Sequence, residues 1–285
     1  EIQACDWSSD VCSSDLALKA KEPWAHHALA HVMITQGRID EGATFLESVS
    51  PLWTDLNSFM LTHNWWHLAL FYLSQGRFKK ALGIYDEHVW GADKTYTQDQ
   101  IGAVSLLTRL ELSGVDVGDR WNDVADYLAA RAHDTVLPFL TMQFIYGLAR
   151  AERPEAEVLL QATRARAAAG DAAWSAVALP ASEGLVHYAR GDFAQTVEQL
   201  GTALPRLAAI GGSHAQRDLF EQIWLDALIR KGDLGAAQQV LELRRRADPN
   251  GVPINRVLAD VYAKLGLKPE AARAAARAAR TLSSH

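Results

Sequence analysis

Eight histidines and tryptophans crowd into one part of this sequence: Trp24, His26, His27, His31, His63, Trp65, Trp66 and His67. On a helix, residues three or four apart share a face. His27 and His31 are four apart, His63 and His67 are four apart, and His63 and Trp66 are three apart. Three kinds of chemistry fit such pairs. In the first, two imidazoles one turn apart reach a single ion and a second helix completes the set, giving His27, His31, His63 and His67 as ligands of a divalent transition metal such as zinc. Asn64, Asp40 or Asp86 would then be the candidate outer partners of those imidazoles. In the second, Trp24, His27, His31, His63, Trp66 and His67 line a groove, a rigid aromatic floor with imidazole donors for a peptide or an acidic small molecule. In the third, the rings only fill the interface between neighbouring helices, with their N–H groups satisfied locally. The first two predict binding that depends on pH between roughly 5 and 7.5, where ordinary imidazoles titrate.

Other chemistry is sparse. There is no P-loop, no glycine fingerprint after a strand, no GxSxG elbow and no HExxH pair, so the common nucleotide-binding and hydrolytic classes are not indicated. Gly211-Gly212-Ser213 reads as a connection between helices rather than a phosphate cradle. His187 reads as a packed residue, and His133-Asp134 and His214 as parts of connections.

The elements that must position the histidines announce themselves as a repeat. A turn of the form glycine, charged, apolar, two variable residues, small residue recurs at Gly37 to Gly42, Gly76 to Ala81, Gly191 to Thr196 and Gly232 to Ala237, with a variant at Gly266 to Ala271. Weaker copies stand near Gly114 and Ala151, and the steps between turns run from 34 to 41 residues. A period of that size marks an array of helical hairpins. Apolar residues flank the turns at helical spacing, as Leu68, Ala69, Tyr72 and Leu73 do before Gly76. Glycine suits the break because it accepts the left-handed conformation that ends a helix, and the small residue lets the second helix approach closely. Arg244-Arg245-Arg246 ahead of Pro249 reads as a helix C-terminus, and Arg273, Arg277 and Arg280 as the solvated face of a terminal cap.

These turns resemble the tetratricopeptide repeat. In the second hairpin Trp65, Leu68-Ala69, Tyr72, Gly76, Ala81 and Tyr85 occupy the family's characteristic places; in the sixth, Gly232, Ala237 and Pro249 do, while Glu221 departs at the aromatic place. The stretches WAHHALAHVMITQGRIDEGATFLE (24–47) and HNWWHLALFYLSQGRFKKALGIYDEHVWG (63–91) are similar to the tetratricopeptide repeat protein 38 family. The resemblance implies an all-α, right-handed solenoid of about seven antiparallel hairpins whose concave face receives a partner. It places Trp24, His27, His31, His63 and Trp66 at ligand-contacting positions of the first helices, and His26 and Trp65 at packed aromatic positions. Asp226 and Asp260, each six residues before a turn glycine, fall at concave places suited to a partner's amides. Members of that family extend further toward the N-terminus, so the chain is expected to be truncated there.

Composition sets the outer bounds. Of 285 residues 49% are hydrophobic and 22% charged, enough for a large core. A formal net charge of −6 disfavours a phosphate-binding surface, so no nucleic-acid partner is expected. No apolar run reaches the roughly 20 residues needed to cross a bilayer, which leads to the expectation of a cytoplasmic protein without a membrane partner. Residues 1–16 resemble translated sequencing adapter, with Ser8-Ser9-Asp10 returning as Ser13-Ser14-Asp15, and are expected to be foreign to the native protein. Both cysteines, Cys5 and Cys12, lie there, which leaves residues 17–285, expected to form a single repeat domain, without a thiolate ligand or disulfide. The expected function is a non-enzymatic scaffold holding a peptide or protein and needing no cofactor. The alternative is a metal-binding or metal-dependent protein built on the four histidines.

Overall fold

The computed structural model describes residues 21–285. The expectation for residues 1–16 therefore lies outside the described residues. All regular structure among the described residues is helical, in fourteen α-helices. No helix among them is long and apolar enough to cross a membrane.

The described residues divide into two compact units, one of residues 21–93 with 242–285 and one of residues 94–241. The first contains α1 (Pro23–Thr35), α2 (Ile39–Val49), α3 (Ser58–Ser74) and α4 (Phe78–Ile84), which widens into a π-helical turn over Tyr85–Val89. The second contains α5 (Thr97–Leu112), α6 (Arg120–Leu128), α7 (Pro138–Arg150), α8 (Glu155–Ala168), α9 (Leu179–Ala189), α10 (Phe193–Ala203) and α11 (His214–Lys231). Helix α12 (Leu234–Ala247) runs from the second unit into the first, which also holds α13 (Val252–Lys264) and α14 (Lys268–Ser284).

Local chemistry sets the helix boundaries. Pro23 opens α1, where its missing N–H costs nothing. Asn57 caps α3, its side-chain oxygen accepting from the Met60 N–H at 2.9 Å. Ser213, in the connection read from sequence, forms a capping box with Gln216 at the start of α11. Gly37, Gly76, Gly114, Gly191, Gly232 and Gly266, the turn residues of the repeat, all carry positive φ. The copy near Ala151 differs. Ala151 keeps φ −92°, and the left-handed residue is Glu152 at φ 54°, a strained place for a side chain with a Cβ.

In the first unit α3 is central, packed on α1, α2, α4 and α13. Twelve of its seventeen residues are buried, the pattern of a helix covered all round, and this is why polar residues on it leave solvent. Leu46, Leu68, Phe71 and Tyr85 are almost fully buried here, each aromatic or aliphatic side chain contributing about 1.5–3 kcal/mol. The small turn-following residue is needed: a Cβ on Gly42 would lie 2.4 Å from the Phe71 ring. In a linear array each pair touches only its sequence neighbours. Within this unit, however, the C-terminal helices also meet the turn of the second hairpin. Ser74 donates to Asp248 at 2.5 Å, the Arg256 guanidinium lies 5.3 Å from the Phe78 ring centroid, and Leu282 and Val252 lie against Gly76. Of the three arginines read as a solvated cap, Arg277 is half-buried and donates to Asn255 at 2.6 Å; Arg273 and Arg280 are exposed.

In the second unit α5 packs on α7, α7 on α9, and α11 on both α10 and α5. The α5 to α11 contact is anchored by buried Arg109, which donates to the Ala215 carbonyl at 2.7 Å. Gly184 lets α9 and α10 meet closely, since a Cβ there would lie 2.7 Å from the Leu200 amide nitrogen.

Candidate metal centre

Helices α1 and α3 lie side by side, and the Asn64 amide ties them by donating to the Pro23 carbonyl at 3.3 Å. That fixes their register so that His27 and His31 of α1 face His63 and His67 of α3. One candidate ligand atom from each of the four histidines lies within 4.8 Å of the others. Ring centroids are 4.5 Å apart for His27 and His31, 4.9 Å for His27 and His63, 4.4 Å for His31 and His67, and 4.8 Å for His63 and His67. The Nε2 atoms of His27 and His31 share one hydrogen bond at 3.0 Å. Two nitrogens on a tetrahedral zinc at about 2.05 Å are about 3.3 Å apart, so this pair already sits near chelating distance.

The walls are aromatic. His63 stacks on Phe59 at 5.0 Å and on Trp66 at 5.2 Å, Trp66 meets His67 edge-on at 4.9 Å, and Trp24 stands edge-on to His27 at 6.1 Å. His63 and His67 are buried and His27 and His31 half-buried. Among the described residues the donor group contains no carboxylate.

This environment keeps His27 and His63 neutral. Burial, with the neighbouring His31 second, pushes His27 down to about 3. Burial also holds His63 well below the ordinary imidazole range, reinforced by His27 and His31. A proton on either would sit in a poorly solvated place beside other rings able to charge. The expected titration between roughly pH 5 and 7.5 assumed ordinary imidazoles, and for His27 and His63 it is corrected downward. A neutral imidazole has one lone pair on the ring and needs no proton removed before it binds metal.

Of the residues expected to line a partner groove, six are brought together here: Trp24, His27, His31, His63, Trp66 and His67. Their exposure differs from the expectation. Trp24 is 54% exposed, but Trp66 is only 2% exposed and forms an inner wall of the histidine cluster. Asp226 is in the other unit, where Tyr188 and Arg230 donate to one of its oxygens at 2.6 and 2.7 Å. Asp260 is exposed on α13. The suggested outer partners divide: Asn64 joins the two helices, Asp40 instead accepts from Gln75 at 2.8 Å and contacts His285, and Asp86 is exposed.

His26 is fully buried, accepting from the Trp53 indole at 3.1 Å, and half-buried Trp65 stacks on His88 at 3.7 Å. His187 pairs with Asp192 at 3.3 Å. Phe59 is the wall residue that the sequence reading missed; its position one helical turn before His63 was the available signal. No family model matches the chain.

Proposed function

We propose that this chain is a metal-binding helical-repeat protein in which the first helices of two successive hairpins hold one divalent transition ion through His27, His31, His63 and His67. One observation carries the reading: four imidazoles from two helices converge within 4.8 Å. The donor chemistry supports zinc, copper, nickel or cobalt over magnesium or calcium, which prefer oxygen. The ion would clamp α1 to α3, adding binding free energy to the stability of the first unit. Fourteen helices, with left-handed glycines at six of the repeat turns, support the accompanying reading of a tetratricopeptide-like solenoid of about seven hairpins, related to the tetratricopeptide repeat protein 38 family.

The test is metal content and thermal stability of untagged protein dialysed against zinc. One ion per chain is expected, with the unfolding midpoint raised by about 5–10 °C at a hundredfold excess over Kd, and with both effects lost in His63→Gln/His67→Gln. If zinc, cobalt, nickel and copper are all washed out and none moves the midpoint, the proposal fails.

The second reading, a groove for a peptide or protein, is favoured by the exposure of Trp24. With Trp66, His63 and His67 buried, the available surface is Trp24 and the outer edges of His27 and His31. A pull-down in which Trp24→Ala loses partners retained by the parent supports it; identical captures argue against it. The formal net charge of −6 favours a partner other than nucleic acid in either case.

A further inference from the structure

A centre of four histidines also sets what else binds there. Imidazole ligands bring no charge, so a divalent ion held by them alone keeps its full charge. Among the described residues the donor group contains no Asp, Glu or Cys to offset it. Uncompensated charge in a poorly solvated place is costly, and a metal on neutral nitrogen ligands is a strong Lewis acid. Such an ion draws an anion as an added ligand.

The structure also shows from which side. His67 is fully buried and His63 nearly so, closing the α3 side, while His27 and His31 keep an outer edge. On that outer side Trp24 stands 6.1 Å from His27 and 6.2 Å from Phe59, and Phe59 stacks on His63 at 5.0 Å. Trp24 is the most exposed large aromatic ring of the described residues. An anion reaching the ion past this rim would lay whatever it carries beside exposed Trp24 and half-buried Phe59. A bare inorganic anion gains nothing from them; a carboxylate on a flat apolar body gains ring contact.

We propose that the metal-loaded centre binds a small monocarboxylate with an aromatic or similarly flat apolar body, its carboxylate on the ion and its body against Trp24 and Phe59. This rests on the metal reading, and the test separates the two. Cobalt(II) is loaded into the full chain, where its visible spectrum reports coordination number, and the loaded protein is titrated with benzoate, acetate and inorganic phosphate. Benzoate is expected to convert the spectrum toward higher coordination with affinity about tenfold above acetate, the increment of one good aromatic contact. In cobalt-loaded Trp24→Ala the benzoate and acetate affinities should converge to within about twofold. If cobalt gives no protein-bound spectrum, the metal reading fails and this inference with it. If the cobalt spectrum forms but ignores all three anions, the metal reading stands and the monocarboxylate inference is overturned. Equal affinity for acetate and benzoate in the parent, or preference for phosphate, also overturns it.

Discussion

Lowering the pH from 7 to 5 should destabilise the metal-free protein through its histidine cluster, by an amount the structure bounds. His27 is held at about 3 against an ordinary value of 6.5, chiefly by burial. Between those values the unfolded chain takes up a proton at this residue and the folded chain does not. Stability is therefore fully present above pH 6.5 and is lost as pH falls toward 3, at up to about 1.4 kcal/mol per unit. By pH 5 the loss is at most about 2 kcal/mol, and solvent at the half-exposed edge of His27 brings the working figure to about 1–2 kcal/mol. His63 shifts in the same direction and adds to the slope. Urea denaturation at intervals from pH 7.5 to 5 measures it, with His27→Gln/His63→Gln as reference so that the carboxylates and remaining histidines cancel. The double variant should show a shallower decline. Zinc supplies an independent check. Because His27 and His63 in the fold resist protonation, they compete weakly with the ion for protons, and the stability that zinc adds should fall less steeply toward low pH than at a site of four ordinary histidines. An ordinary histidine site would lose that increment below about pH 6.5. Equal slopes in parent and double variant would refute the reasoning.

Three further expectations concern local backbone strain, helix packing and a buried hydrogen bond. Replacing exposed, left-handed Glu152 with glycine should raise stability by about 1 kcal/mol, because the strain of a Cβ at positive φ is removed; an unchanged urea midpoint would count against that strain. Gly184→Ala should cost about 1–3 kcal/mol, since its Cβ would meet the Leu200 backbone at 2.7 Å, and a neutral result would mean that α9 and α10 separate easily. Trp53→Phe leaves the buried His26 Nδ1 without its indole donor. A loss of about 1–3 kcal/mol in chemical denaturation is expected, and a loss below about 0.5 kcal/mol would show that His26 finds another partner.

Much of the helical organisation was legible because its signals are local. A turn glycine followed five residues later by a small side chain repeats along the sequence, and in the structure the glycines at 37, 76, 114, 191, 232 and 266 are all left-handed. The degenerate copy at Ala151 could be placed only approximately, since without a glycine nothing in the sequence says whether Ala151 or Glu152 takes up the turn. The two histidine pairs were legible for the same reason. A spacing of four puts His27 with His31, and His63 with His67, on one face whatever surrounds the helix.

Periodicity names the faces of a helix but not what covers them. Trp66 shares a face with His63, and only the tertiary packing about α3 decides that this face is interior. The same packing sets the imidazoles of α1 against those of α3, expels solvent from them and so lowers His27 and His63, which no count along the chain expresses. It also brings Ser74 to Asp248, a contact across 174 residues of sequence. The sequence by itself determined the helices, their turns and which histidines share a face, because these follow from backbone conformation and a fixed rise per residue. Only the tertiary structure decided that the two pairs converge on one aromatic-walled centre, because convergence depends on helix register and solvent exclusion between segments distant in sequence.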